Sequence, residues 1–163
     1  MSRIAVAVDA TVASTIKRDG ESVEPLTGAL PAHGTDGWPV GHGLVTNTLG
    51  DDGRPLEALV LMCEPAIPQG EIAAWPVALL HLTTRGRTID EVLCVAEVAP
   101  FTDLVDVVDL PRWHARPEAW ATALACLIPG SAYQIAGLGP AREADELLDT
   151  ARHAYFQLTG CLE

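Results

Sequence analysis

The apolar segments in the first hundred residues are short, and each is interrupted by proline, glycine or a charged residue. They include "IAVAVDATV", "PLEALVLMC", "IAAWPVALLHL" and "DEVLCVAEV". Such lengths, with alternating and β-branched residues between turn residues, indicate strands. None approaches the ~20 apolar residues that a membrane-spanning helix needs. With 163 residues, 48% of them hydrophobic, we expect one globular domain over residues 1–163.

The pattern changes from strand to helix in the last third of the chain. "RPEAWATALACLI" has apolar residues at helical spacing, and "AYQIAGLG" reads as a last short strand. The segment after Pro140 has acidic residues in its first turns and Gly160 after its end, as helices do. Five or six short strands followed by helices over 117–128 and 140–158 predict a small β-barrel with both helices packed outside.

The charge of the chain excludes several classes of partner. Its formal net charge is −12, and its permanent cations are Lys17 and nine arginines. Nucleic acids and anionic membrane surfaces need a basic patch, so we expect neither as a partner. The four cysteines form no C-x-x-C pair, which disfavours a zinc site. The apolar patch near the N-terminus, about five residues long, is too short for a signal peptide, and we expect a cytoplasmic protein.

The segment "GDDGRPLE" between two predicted strands carries an unusual set of charges. Asp51, Asp52 and Gly53 form an acidic turn of a kind that holds cations. Arg54 follows where a further carboxylate would complete a metal site. One interpretation is that its guanidinium replaces a metal ion and pairs with Asp52 or Glu57. The alternative is that Arg54 only extends from the turn into solvent.

Four segments together resemble the soluble (family I) inorganic pyrophosphatases. The first, W-P-x-x-H-G-x-x-x-N-T-L-x-x-D-G-R-P-L-E-x-L-V-L, is similar to the family pattern Y-P-x-x-Y-G-x-I-x-x-T-L-x-x-D-G-D-P-x-D-x-L-V. The others are "PQGEIAAWPVALLHL", "DLVDVVDLP" and "AYQIAGLGPAREADELLDTA", and the resemblance covers about residues 38–155. It implies an α+β, mainly β fold: an OB-like five-stranded barrel with a polar cavity at one end. It also implies Mg²⁺-dependent hydrolysis of diphosphate.

The resemblance places several replaced residues at metal-binding positions. Asp52 matches the first carboxylate of the family's acidic turn, Arg54 replaces the second, and Glu57 stands for the third. The family's first metal-facing glutamate corresponds to Ala7 or Val8. A guanidinium among the ligands repels Mg²⁺.

A second acidic loop of the family is also altered. Without a gap, Thr84 and Ile89 occupy two metal-binding aspartate positions, and Glu91 occupies the position of a phosphate-binding lysine. Asp90 replaces Ile89 only if the register shifts by one. Because several ligands are lost, we expect no bound metal and no cofactor, with Mg²⁺ used only if residual diphosphatase activity survives.

The positions that orient phosphate are changed as well. The two active-site tyrosines correspond to Trp38 and His42, and the K-x-E pair is retained as Lys17 and Asp19. His42 is either a general acid/base or a hydrogen-bonded structural histidine. Trp38 either stacks on a flat substrate or closes the core. His33 lies in the preceding loop and is a further candidate.

These residues predict a repurposed cavity. The candidate catalytic residues are His42, Asp52, Arg54 and Glu57, and the candidate substrate-binding residues are Lys17, His33, Trp38 and Thr84. We expect metal-independent acid/base chemistry (cyclisation, elimination, isomerisation or hydrolysis) on a small organic molecule, in a homo-oligomer of bacterial specialised metabolism. The alternatives are a non-catalytic module that binds a small ligand or a protein, and a weak inorganic diphosphatase.

Overall fold

A computed structural model describes residues 3–18, 37–64, 70–130 and 132–160. Within these residues it contains six strands, two 3₁₀ helices and two α-helices. The strands are β1 (Ile4–Val12), β2 (Val40–Val45), β3 (Glu57–Leu61), β4 (Glu71–Thr84), β5 (Arg87–Ala96) and β6 (Gln134–Pro140). The 3₁₀ helices are Ala99–Phe101 and Val107–Trp113, and the α-helices are α1 (Pro117–Leu127) and α2 (Ala141–Thr159).

Five of the strands close into a ring. Their order is β1-β2-β3-β5-β4, and β1 pairs with β4 to complete the circle. The pairs are antiparallel except β3 with β5, which is parallel, and β6 adds to β4. The predicted five-stranded OB-like barrel is therefore confirmed, and closure leaves few free strand edges.

Two β-bulges shape the barrel. The register of β4 against β5 shifts between Pro76 and Ala78, at a proline that has no N–H to donate to the ladder. The register of β1 against β2 shifts between Val8 and Ala10. Beside this second bulge the strands approach so closely that a Cβ atom on Gly43 would collide with the backbone of β1. A bulge turns the following side chain in a new direction, and here that side chain is Asp9.

The two α-helices cover the outside of the barrel, as predicted. Helix α2 packs against β4 and buries Ala144, Leu148 and Ala151. Helix α1 buries Trp120, whose indole N–H donates to the carbonyl oxygen of Ala115 at 3.1 Å. Burial of a large apolar side chain contributes about 1.5–3 kcal/mol, so these faces hold the helices in place. Neither helix, nor any other in the described ranges, is both long enough and apolar enough to cross a membrane.

The 3₁₀ helix Val107–Trp113 precedes α1 in the chain, and the residue before it also contacts the start of α2. It begins with a capping box formed by Asp106 and Asp109. The Oδ1 atom of Asp106 accepts from the backbone N–H of Val107 at 2.7 Å and from that of Ala141 at 2.9 Å. One carboxylate thus caps two helices, a function that the sequence analysis did not predict.

Candidate active site

The acidic turn is a local, solvent-exposed structure. Gly53 has a φ angle of 79°, which favours glycine, and the N–H of Gly50 donates to the carbonyl oxygen of Arg54 at 2.7 Å. Asp52 accepts from the backbone N–H of Arg54 at 3.0 Å and lies 3.3 Å from its Nε. The backbone hydrogen bond, aided by the guanidinium charge, lowers the pKa of Asp52.

The structure places Arg54 with Asp52, but outside the barrel interior. The Arg54 side chain is 80% exposed and that of Asp52 is 55% exposed. Among the described residues the ion pair of Arg54 is with Asp52 and not with Glu57. The pairing with Asp52 agrees with the first interpretation of Arg54, and its exposure agrees with the second.

A cavity of about 510 Å³ lies beside this turn. It is bounded by the turn, by the β4–β5 hairpin and by the segment before β6. Its walls combine acidic, basic and apolar residues: Leu44, Gly50, Asp51, Asp52, Arg54, Pro55, Leu56, Glu57, Arg87, Thr88, Ile89, Asp90, Tyr133 and Leu147. Volumes of this size are typical of sites for small organic ligands.

Three ionisable side chains from neighbouring strands meet next to this cavity. His42 comes from β2, Glu57 from the start of β3 and Glu91 from β5, and Glu57 also lines the cavity. One ligand atom from each lies within 4.8 Å of the others. Glu91 is 0% exposed and His42 is 8% exposed. We call these three residues the His42–Glu57–Glu91 cluster.

The two carboxyl groups of the cluster hold a proton. Burial, followed by the charge of Glu57 and a hydrogen bond with it, raises the pKa of Glu91 to about 8. Within the described part of the chain, neither Glu91 oxygen accepts a hydrogen bond from a backbone N–H group or from a side chain that is always a donor. The neighbouring carboxyl group of Glu57 bonds to them only when one member of the pair is protonated. Burial therefore favours the protonated form of Glu91 at neutral pH, which can donate a hydrogen bond to the neighbouring side chain.

His42 connects this carboxyl pair to the barrel rim. Its Nδ1 is 3.5 Å from Oδ1 of Asp9, and its Nε2 is 3.9 Å from Oε1 of Glu91. The family's first metal-facing glutamate corresponds in sequence to Ala7 or Val8, and the side chain of Val8 lies in the core. The bulge after Val8 directs Asp9 to His42 instead.

Two residues of the site, Glu91 and Tyr133, are not among the candidates named from the sequence. Glu91 was noted as a replaced lysine but was not selected, although a carboxylate within the apolar run "EVLCVA" is itself a signal. Tyr133 lines the cavity, and burial, then the charges of Glu57 and Glu91, raise its pKa. Its position before β6 carried no signal of this kind.

The second acidic loop contributes both Ile89 and Asp90, the residues of the two alternative registers, to the cavity wall. Asp90 accepts a hydrogen bond from His81 at 2.7 Å, and the other ring nitrogen of His81 is 3.3 Å from Glu143 of α2. The bond with Asp90, and the further contact with Glu143, raise the pKa of His81. Thr84 pairs with Arg87 at the hairpin end and is absent from the cavity wall.

The remaining candidates lie apart from the cluster or outside the described residues. The ring of Trp38 packs edge-on against Phe101 with centroids 5.4 Å apart and joins the margin of the core. The backbone N–H of Lys17 donates to the carbonyl oxygen of Trp113 at 3.0 Å. His33 lies outside the described residues. The structure thus brings His42 and Glu57 together in the cluster, and Glu57 shares the cavity wall with Asp52 and Arg54.

The donor set does not fit the several Mg²⁺ ions that the resemblance implies. Asp52 is engaged by Arg54, Ile89 offers no ligand atom, and Thr84 is not on the cavity wall. Within the described ranges the group able to ligate a metal with three side chains is the His42–Glu57–Glu91 cluster. Its mixture of imidazole and carboxylate donors suits a transition metal better than Mg²⁺, which prefers oxygen alone.

Comparison with known families supports the fold and the sequence resemblance together. The sequence matches the family model described as inorganic pyrophosphatase over residues 28–156. It is 32% identical over 113 residues to the inorganic pyrophosphatase of Leifsonia xyli, covering 68% of this chain and 69% of that protein. It is 38% identical over 63 residues to that of Streptomyces coelicolor, covering 39% of each.

Solved structures with the same fold extend the match to nearly the whole chain. The inorganic pyrophosphatase of Thermus thermophilus superposes with a TM-score of 0.66 at 20% identity, over 94% of this chain and 91% of that one. The Helicobacter pylori inorganic pyrophosphatase gives a TM-score of 0.65 at 22% identity, over 94% of each chain. At such identities the likeness concerns the fold alone.

Proposed function

The chain belongs to the inorganic pyrophosphatase family, and from that premise we propose that its cavity performs metal-independent acid/base chemistry on a small organic molecule. The observation that carries this proposal is the His42–Glu57–Glu91 cluster beside the 510 Å³ cavity. The members of the cluster stand at family positions for a tyrosine, a metal-binding aspartate and a phosphate-binding lysine. Two of the three have changed their chemical class.

The cluster supports proton transfer for a physical reason. A carboxylic acid donates a proton and its neighbouring carboxylate accepts one, and the burial of Glu91 keeps its pKa near 8. His42 bridges the pair to Asp9, which is 63% exposed, so protons can exchange with solvent along this line of residues. A positioned acid or base of this kind contributes a factor of about 10²–10⁴ to rate.

The same cluster disfavours diphosphate. Two unit charges about 4 Å apart interact by about 4 kcal/mol at an effective dielectric constant of about 20. Replacement of a phosphate-binding lysine by Glu91 therefore removes one attraction and, when Glu91 is ionised, adds a repulsion of similar size. Arg54 and Arg87 at the cavity wall offset only part of this, because Arg54 is already paired with Asp52.

A weak Mg²⁺-dependent diphosphatase is the second candidate. The relatives compared above are named inorganic pyrophosphatases, and Asp52 and Glu57 retain carboxylates at two of the metal positions. This candidate needs Arg54 to release Asp52 and the carboxyl pair to ionise. Both steps cost free energy and so weaken Mg²⁺ binding. A protein whose acidic turn keeps all its aspartates does not have this cost.

The proposal is tested with metal-stripped protein. The wild type, Glu91→Gln and His42→Gln are incubated with a bacterial metabolite extract in excess chelator, and mass spectrometry follows substrates consumed and products formed. We expect conversion by the wild type and at least ~100-fold slower conversion by both variants. Glu118→Gln, an exposed change on α1, is the matched control and should retain activity.

Two outcomes contradict the proposal. Release of phosphate from diphosphate only with Mg²⁺, at ordinary turnover of ~1–10³ s⁻¹, would establish the second candidate. Retention of a metabolite without conversion, by wild type and variants alike, would indicate a binding module instead.

A further inference from the structure

We infer that the molecule bound in the 510 Å³ cavity is an organic monocarboxylate, whose carboxylate pairs with the guanidinium of Arg87 and whose apolar body extends toward Glu57. The inference rests on the proposed function in one respect, since it takes the same cavity as the substrate site. It adds the chemical class of the substrate and a residue that binds it. A monocarboxylate differs from diphosphate in carrying one charge and an apolar body.

Arg87 is a cation on the cavity wall that has no protein partner within the described ranges. Its side chain makes no ion pair and no hydrogen bond there, whereas the other arginine of the wall, Arg54, lies 3.3 Å from Asp52. A guanidinium presents five N–H donors in a planar fork, which matches a carboxylate in a two-point contact. Arg87 can therefore bind an anionic ligand without giving up an existing ion pair.

The β4–β5 hairpin holds Arg87 in a fixed place. Arg87 is the first residue of β5 and pairs with Thr84 of β4 across a two-residue turn. The turn residues, Arg85 and Gly86, have φ angles of 49° and 76°, and positive values at both positions are those of the tight type I′ turn. A binding residue on such a regular element is positioned better than one on a long loop.

The strand that begins at Arg87 leads from the cavity mouth to the barrel interior. Alternate residues of a strand share one face, so Arg87, Ile89 and Glu91 lie on the same side of β5, and their exposure falls in that order. Ile89 lines the cavity, and Glu91 adjoins Glu57, the member of the cluster that the cavity reaches. At a rise of ~3.3 Å per residue, Arg87 and Glu91 are about 13 Å apart along the strand. This length suits a small organic molecule with its anionic end at Arg87 and its other end at Glu57.

Apolar side chains also line the cavity and suit an organic body. Leu44 comes from β2 and Leu147 from α2, and both share the wall with Ile89. Leu44 is 39% exposed, so a ligand that covers it removes apolar surface from water. Inorganic diphosphate has no apolar part and gains nothing from these contacts.

The acidic residues of the wall limit the ligand to one negative charge. Asp52 is engaged by Arg54, and Asp90 accepts a hydrogen bond from His81 at 2.7 Å. The remaining carboxyl groups of the wall repel a second anionic group. One unpaired guanidinium therefore fits one carboxylate, whereas a phosphate monoester or diphosphate brings charge that this wall leaves uncompensated.

The test is a binding measurement that does not depend on turnover. Metal-stripped protein at pH 7 is titrated calorimetrically with hydrocinnamate, phenethyl alcohol, phenethylamine and inorganic diphosphate. We expect saturable binding of hydrocinnamate alone. In Arg87→Gln this binding should weaken at least ~10-fold, because a charge-assisted contact is lost. Arg85→Gln makes the same change of charge in the turn, outside the cavity wall, and should bind hydrocinnamate like the wild type.

The outcomes separate this inference from the proposed function. Hydrocinnamate binding that Arg87→Gln weakens, without conversion of any metabolite, supports the inference while the proposed function fails. Conversion of a metabolite that lacks a carboxylate supports the proposed function and overturns the inference. The inference is also overturned by no binding of hydrocinnamate, by equal binding of the alcohol or of diphosphate, or by equal weakening in Arg87→Gln and Arg85→Gln, which would indicate only the net charge of the hairpin.

Discussion

The side chains of Glu57 and Glu91 meet between two parallel strands, and one of them is fully enclosed by protein. Parallel pairing places Ala58 of β3 opposite Val92 of β5, so the residues just before them are neighbours. Glu91 is 0% exposed, and its pKa is raised to about 8 by burial and then by Glu57. A buried carboxyl pair of this kind destabilises the fold when ionised.

The first prediction concerns Glu91→Gln and pH. The pKa of Glu91 is about 4.5 in the unfolded chain and about 8 in the folded protein. Below pH 4.5 the group is protonated in both states and does not reduce the free energy of unfolding. Between pH 4.5 and about 8 the free energy of unfolding falls as pH rises. Relative to Glu91→Gln, the wild type should lose up to about 1.4 kcal/mol per pH unit across this window. Urea melts at pH 5, 6.5 and 8 measure this difference. Parallel pH profiles for the two proteins would show that the pair does not share a proton.

The second prediction concerns Arg54→Ala. Because the Arg54 side chain is 80% exposed and pairs with Asp52 in solvent, its removal should change stability by less than about 0.5 kcal/mol. A thermal melt decides this, with Asp52→Ala as the companion variant. A decrease of ~3–5 kcal/mol in the free energy of unfolding would instead indicate that, in solution, the guanidinium is buried and takes the place of a metal ion.

The third prediction concerns His81 and pH. Hydrogen bonding to Asp90 of β5, with the further contact to Glu143 of α2, raises the pKa of His81. The stabilisation is therefore fully present below the unfolded pKa of about 6.5 and is lost as pH rises through the higher folded pKa. His81→Gln should remove this loss, so the wild-type advantage in unfolding free energy shrinks above pH 6.5. An advantage that grows with pH would contradict the assigned ion pairs.

The fourth prediction concerns Asp106→Ala. This change removes one acceptor from the N–H groups of both Val107 and Ala141, at the starts of two helices. Loss of a helix cap costs about 0.5–2 kcal/mol, and with two caps lost we expect the upper part of that range. Denaturant unfolding measures it. Asp106→Asn retains an acceptor and should recover most of the stability, whereas equal losses in both variants would argue against capping.

The fifth prediction concerns Mg²⁺. With Asp52 engaged by Arg54 and the carboxyl pair sharing a proton, titration calorimetry should detect no Mg²⁺ site tighter than ~0.1 mM. Arg54→Asp restores the family's acidic turn and should increase Mg²⁺ affinity. A tight site in the wild type would mean that the carboxylates rearrange around the ion.

The sequence by itself determined the barrel, its two outer helices and the family. Short apolar runs, the proline bulge in β4 and the glycine after α2 act locally, through strand periodicity and allowed backbone angles, so they are readable along the chain. Glu57 and His42 were selected by motif position. Trp38 and Thr84 were selected in the same way, but the structure places them in the margin of the core and at a hairpin end.

Only the tertiary structure decided which charges meet. Asp9 reaches His42 because a one-residue bulge in β1 turns its side chain, and Glu91 reaches Glu57 because β3 and β5, separated by the whole of β4, pair in parallel. Neither relation has a local sequence signal, since both depend on the register between strands that are distant in the chain. The exposure of Arg54 was not predictable for the same reason. Its charge is visible in the sequence, but the packing around its turn sets how far its side chain is exposed.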